Sequence, residues 1–396
     1  MVKSCIILAI GWSLFLIGQM KKYRTDKRVL WCMILFMVIT YAGCNGGADV
    51  LNYINRYENR LYGLAPGFDF LMRLFKNLGF SFVAFKLVLA VVYMFFLYKA
   101  VAKCTGNITM VLALIWAFPF PGAITQLRNG LAAVIMLYGL VCYIKDPGHS
   151  TVKYIFWVLV AAMIHPAMLV YLAFVFAKAG AKWHISVKVF LVAVATVFVY
   201  LCVSRNLLYN IASRFISNPR YLQYFNFAGE VSAEELNWKG KLLPMVGQTM
   251  GYIGFHIVHL RLKKGLKACA REQISLGSNF FQEWQLDMIQ FMVMMLFVLF
   301  PLYLRSPTYF RMYKNVIPLI HLVTAQYLTF SKDTGLAWEQ ANDRHKYIVF
   351  CTILAQLAVT YANDGSFLMM YADFSLFELR GNLWKKKSAE FPKDRL

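Results

Sequence analysis

Residues 81–98 read SFVAFKLVLAVVYMFFLY, an almost unbroken apolar run of the length that one membrane crossing requires. A helix needs about 20 mostly apolar residues to cross the hydrocarbon core of a bilayer. Similar runs fill most of the chain, at 4–20, 29–45, 108–123, 128–144, 154–177, 186–203, 242–260, 285–304, 313–330 and 347–361. Counting these apolar runs along the chain predicts about ten to twelve membrane helices. We expect an all-α fold, a polytopic transmembrane helical bundle.

The composition supports a membrane protein. The chain has 396 residues, of which 60% are hydrophobic and 15% are charged. A soluble globular chain carries about a quarter charged residues, so an ordinary soluble enzyme is excluded. The net charge of +22 is also found in nucleic-acid-binding proteins, but in membrane proteins Lys and Arg collect in cytoplasmic loops. We therefore expect the protein to contact membrane lipid and not to bind nucleic acid. We also expect a single membrane domain over 1–380, followed by a basic C-terminal tail over 381–396.

Motifs of soluble enzyme chemistry are missing from the sequence. It contains no P-loop, no G-x-G-x-x-G, no G-x-S-x-G, no H-E-x-x-H and no Asp-x-Asp pair. The eight cysteines lie singly, so we interpret them as small core residues. His256 and His259 share a helical face, but without a third ligand a polar face is the better interpretation than a metal site. We expect no metal and no cofactor.

Charge placement predicts the orientation in the membrane. The two strongest basic clusters, within 21–28 and 261–271, belong in the cytoplasm, which puts the N-terminus outside. If each of the seven apolar runs between these clusters crossed once, the second cluster would lie outside, so one segment must fail to cross or must cross twice. The best candidate is 154–177, because lysines flank both of its ends and His165-Pro166 interrupts its helical pattern. We expect a re-entrant pair of half-helices there, and an ordinary span kinked by proline is the alternative.

Polar residues at the expected outer mouth of the bundle are the first candidates for chemistry, since ionisable groups at membrane depth are costly. Asp49 and Tyr53, in the outer segment 46–80, suit a carboxylate and aromatic platform for a sugar. Asp69 in the same segment is interpreted as solvated. Gln126 and Arg128 precede an apolar helix, and a guanidinium at a helix start suits a diphosphate. A snorkelling interfacial arginine is the alternative for Arg128.

Further candidates lie at the apolar break and in two later outer segments. His165 is either a base or donor that lines a cavity, or a satisfied structural histidine. Arginine pairs with phosphate, and tyrosine rings stack on sugar CH surfaces. Residues of these two types follow one another in or beside the outer segments 204–241 and 305–312, as Arg220, Tyr221, Tyr224, Arg311 and Tyr313. A solvated basic loop is the alternative for 204–241.

The chain carries six short stretches of these residues in a fixed order. They are Gly47-Ala48-Asp49 with Tyr53, Ala65-Pro66-Gly67-Phe68, Leu127-Arg128-Asn129 with Ala132-Ala133, Ile164-His165-Pro166-Ala167, Arg220-Tyr221 with Tyr224, and Arg311-Met312-Tyr313. In order and spacing they resemble the motifs of the EpsG-like family of exopolysaccharide polymerases, which are related in function to Wzy-type polymerases. The resemblance runs over nearly the whole chain. It departs at Ala42 to Asn45, where the family has an arginine, and at Ala65, where the family has an acidic residue.

The resemblance implies a GT-C-like bundle in a bacterial plasma (inner) membrane. Its implied activity is polymerisation of polyprenyl-diphosphate-linked oligosaccharide repeat units into capsular polysaccharide or exopolysaccharide at the outer face. It implies a metal-independent glycosyltransferase, possible partners among other polysaccharide-assembly proteins, and Asp49 or His165 as the base. Arg128, Arg220 and Arg311 are the implied ligands of the diphosphate. The remaining residues implied to bind substrate are Tyr53, Gln126, Tyr221, Tyr224 and Tyr313.

Three other functions compete with polymerisation. A flippase for lipid-linked oligosaccharides would distribute basic residues through many helices, whereas here the notable charges lie near the outer mouth. A membrane acyltransferase that decorates sugars is disfavoured because no His-x-x-x-x-Asp sequence occurs. A structural scaffold for polysaccharide assembly would keep its function after loss of every arginine named above.

Overall fold

The computed structural model describes residues 26–46, 48–146, 151–204, 207–215, 238–274, 276–304 and 309–334, together with a few isolated positions. Its α-helices are α1 Lys27–Gly43, α2 Ala48–Glu58, α3 Pro66–Asn77, α4 Phe82–Cys104, α5 Ile108–Ala117, α6 Phe120–Thr125, α7 Leu127–Lys145, α8 Thr151–Ile164, α9 Ala177–Ala181, α10 Ile185–Ser204, α11 Leu207–Phe215, α12 Trp238–Arg271, α13 Glu283–Met295, α14 Phe300–Tyr303, α15 Phe310–Lys314 and α16 Ile317–Thr334. Two 3-10 helices, Pro166–Phe176 and Leu296–Leu299, complete the described elements. The all-α prediction is confirmed.

Four described helical stretches are long and apolar enough to cross a membrane. They are Phe82–Cys104, Leu127–Lys145, Ile185–Cys202 and Glu283–Tyr303. Three shorter apolar stretches, Ile108–Ala117, Thr151–Ile164 and Pro166–Ala181, accompany them. The prediction of a polytopic helical protein is confirmed. The expected pass 347–361 and the expected tail 381–396 lie outside the described residues, as does most of 4–20.

Local sequence accounts for where several helices begin. The Ser81 side chain accepts a hydrogen bond from the Ala84 amide before α4, and Asn107 accepts one from the Met110 amide before α5. These side chains satisfy amides of the first turn that have no partner within the helix. Pro66 occupies the first position of α3, where its missing N–H is no loss. These residues determine where α3, α4 and α5 begin.

The C-terminal ends of α4 and α7 meet at one end of the bundle. Lys103 Nζ lies 3.3 Å from Asp146 Oδ2, and Lys145 Nζ donates to the Phe280 carbonyl at 2.7 Å. Gln326 on α16 donates to the Cys104 carbonyl at 3.0 Å. We call this the basic end, because α12 also ends nearby with its run of lysines and arginines, packed through Gly265 against Phe330 of α16.

The segment 151–181 folds back on itself at His165-Pro166. Tyr154, near the start of α8, donates a hydrogen bond of 2.6 Å to the carbonyl of Tyr171 in the 3-10 helix. Seventeen residues separate the two, and a straight helix of that length would hold them about 26 Å apart. The two arms are therefore antiparallel. This fold-back agrees with the predicted hairpin and not with one straight or kinked helix. That the hairpin enters and leaves a membrane on the same side stays a prediction.

A polar seam joins α12 to α13 within the bundle. His259 Nε2 lies 3.0 Å from Asp287 Oδ1, and Lys263 Nζ lies 2.6 Å from Asp287 Oδ2. His256 Nδ1 lies 3.0 Å from Gln290 Nε2. The two histidines are thus engaged by different side chains of α13, which agrees with their interpretation as a polar face. Among the described residues, no three His, Cys, Asp or Glu side chains are grouped as metal ligands would be.

Candidate functional site

The end of the bundle opposite the basic end carries four of the expected site residues. Arg128 is the second residue of α7 and Lys145 the last, so their Cα atoms lie about 26 Å apart along the helix. Asp49, His165 and Arg311 lie near Arg128, as the contacts below show. We call this group the mouth, defined by Asp49, Arg128, His165 and Arg311.

Asp49 and Arg311 form an open ion pair at the mouth. Asp49 lies in the first turn of α2, and its Oδ2 is 3.6 Å from Arg311 Nη2 on α15. The two side chains keep 45% and 35% of their surface exposed. An exposed pair at this distance contributes little to stability, typically about 0–1 kcal/mol. Both groups are therefore accessible to a ligand that competes for either charge.

Arg128 is held from two sides, and one of its donors stays free. Its Nη1 donates to the Leu64 carbonyl at 2.9 Å, and its side chain also hydrogen-bonds Tyr53, one helical turn after Asp49. Its Nε is buried and has no hydrogen-bond partner. A buried, unpaired donor on a charged group is costly, and such groups in native proteins call for a water or a ligand. The orientation of Arg128 thus suits an anionic group at the start of α7.

His165 occupies the tip of the hairpin. Its backbone is extended (φ −143°, ψ 110°), because Pro166 disfavours a helical conformation at the residue before it. The Nδ1 atom is buried without a partner, and the charges of Arg128 and Arg311 act on the ring. The break in the apolar segment therefore places the imidazole ring near the two arginines. The choice between a cavity-lining base or donor and a structural histidine stays open.

Two long-range contacts tie the arginine-bearing segments together. Asn129 and Asn315 exchange amide hydrogen bonds of 3.0 and 3.2 Å, and both side chains are buried. Tyr171, on the second arm of the hairpin, donates to the Met312 carbonyl. Asn129 follows Arg128 directly, and Met312 follows Arg311. The positions of the two guanidinium groups relative to each other and to the hairpin are thereby determined.

Tyr53 lies against Phe68 beneath the mouth and is 8% exposed. Burial raises the pKa of Tyr53 above its ordinary value, Arg128 acts against this rise, and the Asp49 carboxylate adds to it. The phenol therefore remains protonated at neutral pH. It presents a neutral hydroxyl to Arg128 and cannot compensate that charge.

Asp69 is buried, so its interpretation as a solvated residue is wrong. Its carboxylate accepts hydrogen bonds from the Gly63 and Leu64 amides at 2.8 and 3.0 Å. One face of α3 does lie on the surface, with Phe70, Leu74 and the following Leu78 exposed, whereas Phe68 and Met72 on the other face are buried. Such an apolar stripe at helical spacing is typical of a helix at a membrane interface.

The other expected site residues lie in different surroundings. Gln126 lines a narrow cleft together with Asn129, Lys314 and Asn315. The cavity volume of this cleft is about 30 Å³. Tyr313 is fully buried and stacks on Phe310, so it belongs to the core beneath Arg311. The other three expected residues, Arg220, Tyr221 and Tyr224, lie outside the described part of the chain.

Lys86 is a charged residue near the mouth that the sequence interpretation missed. It is fully buried on α4 and donates to the Cys44 carbonyl, with Asn45 Oδ1 at 3.4 Å. It thus supports the turn that leads to Asp49, where the family's arginine is absent. The sequence could have identified Lys86 as a candidate, because it is the one charged residue in the apolar run 81–98.

A family model matches most of the chain. The model of the EpsG family matches residues 28–371, which include the mouth and the hairpin. No curated protein matches the chain. No solved structure matches it either.

Proposed function

The chain belongs to the EpsG family and is a membrane polysaccharide polymerase, and on that premise we propose that its substrates are oligosaccharide repeat units carried on polyprenyl diphosphate. The reaction takes place at the mouth, on the outer face of a bacterial plasma membrane. The basic end faces the cytoplasm, because lysines and arginines accumulate on that side. The N-terminus is then extracytoplasmic.

The proposed reaction is a glycosyl transfer between two lipid-linked sugars. A hydroxyl of the acceptor unit attacks the anomeric carbon of the donor glycan, and a new glycosidic bond forms. The bond from that carbon to the diphosphate breaks, and the lipid diphosphate leaves with the electron pair. The proton of the acceptor hydroxyl passes to a base, which is Asp49 or His165. Atoms and charge balance without a further reactant.

The arginines provide the positive charge that this reaction needs. Negative charge grows on the diphosphate oxygens as the bond breaks, and donors already in position stabilise it best. Arg128 and Arg311 present such donors at the mouth, and Arg220 is proposed to add a third. Guanidinium groups suit phosphate because their planar fork binds two oxygens at once.

One observation carries the proposal. Two buried polar atoms, Arg128 Nε and His165 Nδ1, lack hydrogen-bond partners at the same end of the bundle. Beside them, Asp49 and Arg311 form an ion pair that a ligand can separate at little cost. A diphosphate with a sugar hydroxyl would supply partners for the two unpaired atoms and could take the place of either partner in the ion pair.

The test replaces Arg128 by alanine in cells. We expect correctly inserted protein, loss of long surface polymer and accumulation of single lipid-linked repeats, with a rate reduced by about 10²–10³. Arg73→Ala is the matched control, because Arg73 is an exposed arginine on α3 that stacks on Tyr62. A lectin added from outside must detect the accumulated repeats, since a flippase defect would leave them on the cytoplasmic face. Unchanged polymer length in inserted Arg128→Ala protein rejects the role of Arg128.

A further inference from the structure

The Asp69 carboxylate hydrogen-bonds the loop before α3 and not the amides of its own helix. It lies in the first turn of α3, where a carboxylate normally interacts with the amide dipoles of that helix. Instead it accepts hydrogen bonds from Gly63 and Leu64, two residues of the preceding loop. Gly63 has a φ of +110°, a conformation that glycine adopts without strain. The carboxylate therefore stabilises the shape of this loop.

The same loop holds the guanidinium group at the mouth. Leu64 receives the Asp69 carboxylate at its N–H and offers its carbonyl to Arg128 Nη1 at 2.9 Å. One residue thus joins a buried carboxylate to a buried part of the arginine. Gly67, two residues before Asp69, packs so closely on the hairpin tip that an added Cβ would lie 2.9 Å from the Met163 carbonyl. The loop is consequently held at both ends, and its carbonyl has little freedom to move.

We propose that Asp69 is a positioning residue for the transfer reaction, and this inference rests on the proposed function of Arg128. Asp69 does not touch substrate. It holds Leu64, Leu64 holds one edge of the Arg128 guanidinium, and the remaining donors are thereby turned toward the diphosphate. A displacement of about 1 Å in a catalytic group can lower a rate by about a hundredfold. Loss of the Asp69 carboxylate therefore lowers kcat only by displacing the Arg128 guanidinium group.

The experiment is a double-mutant cycle with purified enzyme and lipid-linked repeat units. Asp69→Asn is made in the wild-type enzyme and in Arg128→Lys. We expect it to lower kcat about 10–100-fold in the wild type and less than about threefold in the lysine background. The reason is that a single ammonium group has no planar fork to orient. KM changes less than kcat, because the misplaced donors act mainly on the leaving group.

Controls separate this role from a general loss of structure. Glu58→Gln removes another carboxylate of the outer surface, one that pairs with Lys76, and is expected to leave kcat unchanged. If Asp69→Asn does not accumulate in membranes, Asp69→Glu replaces it in the cycle, since it keeps the charge but displaces the loop by one methylene. Equal losses in both backgrounds, or normal kcat for the Asp69 variant, overturn the inference. Normal activity of Arg128→Ala instead overturns the proposed function.

Discussion

Replacing Asn129 by leucine tests whether the mouth depends on the amide pair between α7 and the end of α15. In the native protein Asn129 and Asn315 each donate one hydrogen bond and accept one, and both are buried. The variant fills a similar volume but leaves the Asn315 carbonyl oxygen without a donor. It also removes one acceptor from the Asn315 amide, which retains a contact with Tyr171.

The expected cost follows from these two losses. A buried acceptor left unpaired costs about 1–3 kcal/mol. A hydrogen bond between helices inside a membrane contributes less, about 0.6 kcal/mol on average. We therefore expect Asn129→Leu to lower the free energy of unfolding by roughly 2 kcal/mol. Adding Asn315→Leu removes the unpaired groups, so the double variant should lose clearly less than the sum of the two single variants.

The assay is equilibrium unfolding in detergent micelles, followed by tryptophan fluorescence from the nine tryptophans. The matched control is Asn59→Leu, because Asn59, in the turn after α2, donates an exposed hydrogen bond to Asn55, and a change within about 0.5 kcal/mol is expected there. Polymerisation is measured in parallel, since a shift of Arg128 relative to Arg311 should lower kcat. A stability equal to wild type for Asn129→Leu, or strictly additive losses in the double variant, would show that the amide pair does not hold α7 and Asn315 together.

Two other substitutions probe the outer helices. Gly67→Ala places a Cβ 2.9 Å from the Met163 carbonyl, and we expect a loss of about 1–3 kcal/mol in unfolding free energy, together with reduced polymerisation. Gly106→Ala, whose Cβ meets no atom within 4 Å, serves as control, and an equal effect of both would contradict the close contact. Burial raises the pKa of Tyr57 to about 12, so its protonated form is favoured by folding. Its contribution to stability should be complete below about pH 10 and disappear as pH rises through about 12, and Tyr57→Phe should weaken this alkaline loss in a pH series of thermal unfolding. An identical alkaline profile for that variant would exclude Tyr57 as the source.

The hairpin and the position of Arg128 show how much of the structure can be predicted from residues close together in the chain. The His165-Pro166 pair interrupts an apolar run flanked by lysines, and together with the count of crossings between the two basic clusters it favours a hairpin over 154–177. Arg128 was identified in the same way, from a guanidinium placed at a helix start. Each prediction depends on neighbours in the chain, because helix breaking, capping and apolar length are properties of a few consecutive residues.

Asp69, Asn129 and Lys86 acquire their roles only through residues distant in sequence or in a separate element. Asp69 looked like a solvated carboxylate because its sequence neighbours are a turn and an amphipathic helix. Asn129 has no predicted role of its own in the sequence, and its partner Asn315 is 186 residues away. Periodicity carries no information about such pairs, since many registers of two helices satisfy the same apolar pattern.

Composition and periodicity alone predict the helical class, the long apolar helices such as Phe82–Cys104 and the break at Pro166. They also indicate which residue types are proposed to bind a diphosphate. These follow from the cost of unpaired backbone groups in lipid and from the chemistry of individual side chains. The contact of Asp49 with Arg311, the hydrogen bond from Arg128 to Leu64 and the burial of Tyr313 depend instead on how the helices pack. Packing selects one arrangement of the helices, and the distances between charges in the mouth are a consequence of that selection.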